Sequence, residues 1–356
     1  MSRWRYFLKR LLLSIPVLFL VMTVIFVVLR MGPLDPVAAM LGPEGAGADA
    51  QAIREQLGLN EPLWKQYIDF VTNLITFQLG QSWVLHPNRE VTTLIRLFGP
   101  RTLWLGFWAI LLPLFIGIPL GFYAGLNPNS WGDYVASFSG IVWLAMPNFW
   151  LAIMLLTVLR RTDGGGWFGF DWYTFGPDTG SLIGSPPLDF ADITSSIDLG
   201  LVSIPTGISF EWMTLAAAIK IILPAAVVLG SASMASELRI GRTAVLETIN
   251  SNYVETAKAK GLSNRVIVWK HVFRNALIPL LPIITNEAFL LIGGSVIVEQ
   301  VFNINGIGKL FFQAAVQGDL PLAGSLIFFF TLIIIGLNIL QDLLYTVLDP
   351  RVGYDQ

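Results

Sequence analysis

Six stretches of this chain are apolar over the length that crosses a lipid bilayer, and no other feature restricts the fold as strongly. They run from Leu11 to Leu29, Thr102 to Leu126, Val135 to Leu159, Leu215 to Ala235, Ala276 to Val298 and Leu320 to Leu344. A helix rises about 1.5 Å per residue, so about 20 residues cross a hydrocarbon core about 30 Å thick. Lipid offers the backbone no hydrogen bonds, so each stretch must be a helix that satisfies its own polar groups. Composition agrees: 54% of the 356 residues are hydrophobic and 13% charged, with a mean hydropathy of +0.66, too apolar for a soluble chain. The fold class is therefore all-α, a polytopic membrane protein with six transmembrane helices. Pro113, Pro119, Pro147, Pro224, Pro279 and Pro282 fall within or at the ends of these spans, where each removes a backbone donor and should bend or start a helix.

The first apolar run follows Arg3, Arg5, Lys9 and Arg10, which superficially copies a secretory signal. It is longer than a signal core, and Met31-Gly32-Pro33 after it is no small-residue cleavage site, so it reads as a retained first helix. Lys and Arg concentrate in the first ten residues and between Glu237 and Asn275, where Arg239, Arg242, Lys258, Lys260, Arg265, Lys270 and Arg274 stand. Positive charge marks the cytoplasmic side, which places both termini and that loop inside. Arg160 and Arg161 then fall outside, and the turn Asn127 to Tyr134 has no positive charge; the longer segments outweigh both. Residues 1–100 form a first transmembrane helix plus an external segment, in which Leu63, Tyr67, Phe70, Val71 and Leu74 recur at amphipathic helical spacing. Residues 101–349 form the transmembrane core, with an external insert at about 160–213 and a cytoplasmic loop at about 237–275; residues 350–356 are a cytoplasmic tail. The insert, rich in Gly, Pro and Asp, reads as a solvated loop.

Several functions are excluded. A net charge of -2 gives no basic excess for a nucleic-acid partner. There is no cysteine, and the two histidines, His86 and His271, lie far apart in the sequence, so no metal site is expected. A nucleotide-binding loop requires Gly-x-x-x-x-Gly-Lys-Ser/Thr; here Gly308-Lys309 is followed by Leu310, and Asn303 occupies the place of the first Gly. No Gly-x-Ser-x-Gly, His-Glu-x-x-His or paired intramembrane aspartate supports an intramembrane enzyme, so no catalytic residue is assigned. A self-sufficient ion-coupled transporter should show an internal repeat and several intramembrane charges, and neither is evident.

The loop between the fourth and fifth spans carries the most information. In Asn252-Tyr253-Val254-Glu255-Thr256-Ala257-Lys258-Ala259-Lys260-Gly261, Asn252 can cap a short helix, Glu255 can complete a capping box, and Gly261 can end it in a left-handed turn. Ser263 can then cap a second helix running through Arg265, Val266 and Trp269 into Ala276. Within the spans, Glu287 beside Asn286 is an ionisable group at membrane depth, which usually faces a partner or a water-filled path. Glu299 lies at the outer end of the same span, where it could help gate the path or meet an external protein.

Glu255-Thr256-Ala257, three residues, then Gly261 resembles the Glu-Ala-Ala-x-x-x-Gly loop of binding-protein-dependent ABC importer permeases. The longer string Tyr253 to Leu262, followed by His271-Val272-Phe273-Arg274-Asn275-Ala276-Leu277-Ile278-Pro279, is similar to the dipeptide/oligopeptide/nickel branch of that family. Gly293-Gly294-Ser295-Val296-Ile297-Val298-Glu299, Gly306-Ile307-Gly308 and Leu348-Asp349-Pro350-Arg351 extend the match. Leu57-Gly58-Leu59-Asn60-Glu61-Pro62-Leu63 and Leu79-Gly80-Gln81-Ser82 resemble the external region of its B-type subunit. His271 to Arg274 stand where sugar and phosphate importers carry Ile-x-Leu-Pro.

The resemblance implies a type I ABC importer permease fold in a prokaryotic cell membrane. It implies a second homologous permease subunit, two ABC ATPase subunits that bind ATP and Mg, and an external solute-binding protein. The expected cargo is a di- or oligopeptide, with nickel or oligosaccharides as the alternative. Tyr253, Glu255, Ala257, Lys258, Lys260 and Gly261 are the expected ATPase-coupling residues; Asn286, Glu287 and Glu299 are the translocation-path candidates.

Overall fold

A computed structural model describes residues 3–31, 37, 41, 48–56, 58–160, 172, 175–177, 179, 183–198, 203–285, 287 and 296–348. In chain order the helices begin with α1 (Arg3–Met31), α2 (Ala48–Gln56), α3 (Leu63–Ile75) and α4 (Val91–Leu112). A π-helical turn, Pro113–Gly117, joins α4 to α5 (Ile118–Leu126), and α6 (Trp131–Ala145) and α7 (Asn148–Arg160) follow. Strands β1 (Ala191–Asp198) and β2 (Ser203–Phe210) precede α8 (Trp212–Ile249) and α9 (Asn252–Ala259). Next come α10, a helix of mixed pitch from Asn264 to Thr285, then α11 (Val296–Val301), α12 (Ile307–Gln317) and α13 (Leu320–Leu348).

Five helical segments are long and apolar enough to cross a membrane, and a sixth is obtained if α6 and α7 are taken as one broken span. These two meet at 101°, where a single span from Val135 to Leu159 is expected from the sequence. Pro147 explains the break: it has no N–H to donate, and it forces the preceding Met146 into an extended conformation (φ -85°, ψ 119°). Pro113 acts more mildly. Its missing donor coincides with the start of the widened π turn, after which the helix resumes. The second span begins at Val91 rather than Thr102, because Val91 and Leu94 have buried partners that lengthen the helix. The fifth begins twelve residues before the expected Ala276, and residues 286 and 288–295 of that span lie outside the described set. Helix α8, with 38 residues, is about 57 Å long, nearly twice the roughly 30 Å of a hydrocarbon core. Its C-terminal turns, with Arg239, Arg242 and Glu247, are the end fitted to lie outside lipid.

The segment expected to be an external solvated loop departs from the all-helical expectation. β1 and β2 form an antiparallel hairpin in which Ile193 pairs with Ile208 and Ile197 with Ile204, with bulges around Ser195. The alternation of Ile204, Thr206, Ile208 and Phe210 is a period-two signal that the Gly, Pro and Asp of the surrounding segment obscure.

The chain divides into two compact units. The first comprises residues 1–99 and 307–356. Its core joins Met22 and Ile25 of α1, Val71 and Leu74 of α3, and Leu322 and Leu326 of α13. The amphipathic reading of α3 holds at Val71 and Leu74, while Tyr67 and Phe70 rest on Phe26 with ring centroids 5.3 and 5.7 Å away. Leu63, 55% exposed, falls outside the buried face. Asp319, between α12 and α13, is fully buried and accepts from Ser82 Oγ at 2.5 Å and from the backbone N–H of Trp83, Val84 and Leu85 at 3.1 Å each. One carboxylate thereby anchors the whole 82–85 turn.

The second unit comprises residues 100–306 and is built on α8. Gly117, Gly121 and Gly125 form one line along α5 and its entry turn. A Cβ at these positions would come within 2.8 Å of Met234 O, 2.6 Å of Leu238 O and 2.6 Å of Val245 Cβ. Bare glycine is what lets the two backbones touch, the means by which helices pack closely in lipid. One turn away, Arg242 of α8 grips Asp133 of α6 with two bonds of 2.5 and 2.8 Å, and Asp133 also accepts from Asn129 N at 3.0 Å.

Candidate functional site

The segment between α8 and α10 is packed into the second unit, with Val254 and Ala257 in its core. Helix α9 starts at Ser251, whose φ of -79° and ψ of 148° are those of a helix cap. Its hydroxyl does not cap the helix but donates to Thr248 O at 2.6 Å. Asn252 therefore occupies the first helical position rather than the cap, and the capping box expected from Asn252 and Glu255 is not made. Glu255 remains in the first turn, where its negative charge opposes the positive end of the helix dipole. The C-terminus meets the expectation fully. Gly261 N donates to Lys258 O at 2.9 Å and Leu262 N to Ala257 O at 3.3 Å, the paired bonds of a Schellman ending, with Gly261 at φ 74°. A Cβ on Gly261 would meet nothing within 4 Å, so backbone conformation alone calls for glycine there.

The helix has two distinct faces. Val254 and Ala257, three residues apart, are buried among Ala244 and Val245 of α8, Ile267 and Val272 of α10, and Ile118 and Phe122 of α5. Ala257 is thus a seating residue, and its side chain is not on the outward surface where a coupling contact would be made. Tyr253, Glu255, Lys258, Lys260 and Gly261 are exposed. The exposed surface continues onto α10 through Leu262, Val266 and Trp269, the last 62% exposed. A tryptophan this open beside the exposed face of α9 does not stand out in the sequence, which places it only as part of a helix. An aromatic chain leads inward from it: Trp269 to Phe273 at 5.2 Å, then Phe273 to Phe122 of α5 at 4.9 Å. Ser263 takes a cap conformation at the head of α10, although its side chain makes no capping bond. From Ile267 to Phe273 the helix widens into a π stretch.

The path candidates do not gather at one point. Asn286 lies outside the described residues. Glu287 is 3% exposed and sits beside Glu237 of α8, itself fully buried. The two carboxyl groups lie within hydrogen-bonding reach of each other, and Glu287 of Ser233, while no donor among the described residues makes a well-aligned bond to their four oxygens. Glu237 reads in the sequence as the first charge of the loop, and only the length of α8 carries it into the packed interior. Glu299, on α11, is fully buried rather than at a surface; its Oε1 accepts from Thr102 Oγ1 at 2.9 Å. A Cβ on Gly306 would lie 2.5 Å from its Oε2, so that glycine makes room for the carboxylate. Among the described residues, no three of His, Asp and Glu gather as metal ligands would.

The sequence profile described as "Binding-protein-dependent transport system inner membrane component" matches residues 117–354, two-thirds of the chain and all of this block. The chain belongs to that family. A second profile, for the N-terminal part of such membrane components, matches residues 3–83 of the permease. The permease is 32% identical over 349 residues to the oligopeptide transport system permease protein AppB of Bacillus subtilis, covering 98% of this chain and 99% of that one. It is 33% identical to the dipeptide transport system permease protein DppB of Alkalihalophilus pseudofirmus, and 30% identical to the glutathione transport system permease protein GsiC of Pectobacterium atrosepticum. Each of these alignments covers 98% of this permease and 99% of the relative. The protein is an inner-membrane permease subunit of an ABC importer in the peptide family, a multi-pass protein of the cytoplasmic membrane with the type I permease fold.

Proposed function

We propose that this permease forms a translocation path for di- or oligopeptides delivered by an external solute-binding protein, together with a second homologous permease. Two partner ATPases bind ATP and Mg and hydrolyse the nucleotide, and they drive the permease through α9. The observation that carries this reading is the two-faced construction of α9. Val254 and Ala257 fix it to α5, α8 and α10, while Tyr253, Glu255, Lys258 and Lys260 are left outward for a partner. A short helix held at both ends and packed on three others transmits displacement as a rigid element. A partner that closes on its outer face can therefore bias the bundle between two packings. With both termini and α9 in the cytoplasm, this face is turned toward the compartment that holds ATP. The peptide and glutathione systems named for the relatives favour peptide cargo over nickel or oligosaccharide.

Glu287, Glu299 and Asn286 are the proposed path residues. Glu287 has the strongest physical support, because a buried carboxyl set against a second carboxyl gains from a passing donor.

The test is uptake into vesicles holding this permease with its partner permease and ATPases, supplied with the binding protein. Labelled di- and oligopeptides, nickel and an oligosaccharide are offered in parallel. ATP-dependent peptide uptake is expected, abolished by Glu255→Lys and reduced at least about tenfold by Glu287→Gln. Uptake of nickel or sugar instead would replace the cargo assignment. Uptake that proceeds without the ATPases would overturn the importer mechanism.

A further inference from the structure

Two cavities meet along the seam between α1 and α13 in the first unit. One, of about 170 Å³, lies at the C-terminal end of α1 and is lined by Arg30, Asn73, Gln78, Trp83, Phe26 and Phe70. The other, of about 440 Å³, is a groove with only apolar walls, formed by Val21, Val24 and Val28 of α1 with Phe311, Ala323 and Ile327 of α12 and α13. Leu29 and Leu320 line both, so the cavity that holds Arg30 and the apolar groove are neighbours along this seam. Its floor is the point where Gly324 brings α13 against α1: a Cβ there would lie 2.8 Å from Leu29 Cδ1 and 3.1 Å from Ile25 Cγ2.

Arg30 is the one cation lining these walls, and it has no carboxylate partner among the described residues. A guanidinium drawn partly out of water beside aromatic rings is costly without a counter-charge, and a bound anion offsets that cost. The lining of the polar cavity contains no Asp or Glu that would attract a headgroup ammonium, whereas Asn73 and Gln78 add amide donors. Depth is also informative. Arg30 ends the apolar segment Leu8–Arg30, at the level where a bilayer presents its phosphates. The groove wall from Leu20 to Leu29 spans nine helical steps, about 14 Å, close to half of a roughly 30 Å hydrocarbon core.

We propose that this seam binds one anionic phospholipid from the leaflet at the C-terminal end of α1. Its phosphate pairs with Arg30, assisted by Asn73 and Gln78, and an acyl chain fills the groove. The lipid would bridge α1, α3 and α13, acting as a wedge that holds the first helix against the last.

Native mass spectrometry of the detergent-solubilised full chain tests this. It is titrated with phosphatidylglycerol, with phosphatidylcholine of the same acyl chains, and with glycerol phosphate alone. Phosphatidylglycerol is expected to be retained about tenfold better than phosphatidylcholine: both offer Arg30 a phosphate, but only phosphatidylcholine adds an ammonium, which this lining leaves beside a like charge with no carboxylate to pair with. Glycerol phosphate is expected not to be retained. Arg30→Gln should remove the preference and Arg30→Lys should keep most of it. Ala315→Phe, which fills the groove from an exposed position, should weaken both lipids alike. Equal retention of the two lipids by the wild type would overturn the proposal, as would retention of glycerol phosphate at the phosphatidylglycerol level or a preference that survives Arg30→Gln. If Arg30→Gln fails to fold, the wild-type preference and the Ala315→Phe arm decide the matter.

Discussion

Gly261 combines a left-handed backbone with open space where a side chain would be, so its replacement isolates a single cost. Gly261→Ala should destabilise the α9 turn by about 1–2 kcal/mol, the cost of placing an L residue in the left-handed region. Faster amide hydrogen exchange through residues 257–262, with little change elsewhere, is the expected readout; unchanged exchange there would contradict the assignment. This residue was legible in the sequence, because a glycine closing a polar helical stretch has few other reasons to stand there. The caps were less legible. Asn252 has the chemistry of a cap, but Ser251 has it too, and the choice between adjacent polar residues depends on where α8 ends. Glu237 was not legible as an interior residue, since nothing local distinguishes a carboxyl at the start of a charged loop from one buried on a long helix beside Glu287. Asp319 was missed for a different reason: its four donors come from residues 82–85, more than two hundred positions away.

The apolar runs gave away the existence of the membrane helices, because lipid leaves the backbone no alternative. Their ends were misjudged where packing lengthens a helix beyond its apolar window. α4 starts at Val91 and α8 continues to Ile249, both supported by buried partners that hydropathy does not register. Pro147 could be expected to bend its span, but an angle of 101° depends on the helices packed on either side. The contact of α5 with α8 is the element most sensitive to substitution. Gly121→Ala should lower stability by about 1–3 kcal/mol or more, since the added methyl meets the Leu238 carbonyl and the backbone of Arg242 rather than a side chain able to move. A drop in the thermal midpoint of the detergent-solubilised chain checks this, and a midpoint equal to wild type would show that the helices can separate without cost. The same substitution should raise the ATP hydrolysed per peptide imported, because a loosened α5 no longer follows α8.

At the scale of the whole molecule, the chain is the permease subunit of an ABC importer, and the proposal is that motion reaches it from a partner through α9. The family assignment rests on matches over nearly the whole chain, and α9 with the start of α10 presents an exposed surface within the matched region. The central claim is that this surface docks a nucleotide-hydrolysing partner. The chain has no cysteine, so a single Lys258→Cys substitution allows a photo-crosslinker to be placed there alone. Irradiation in native membranes, followed by identification of the adduct, is the most direct measurement. A P-loop ATPase should be captured from position 258, and none from a Lys65→Cys control on α3. Absence of an ATPase adduct at position 258, or equal capture from position 65, would contradict the account.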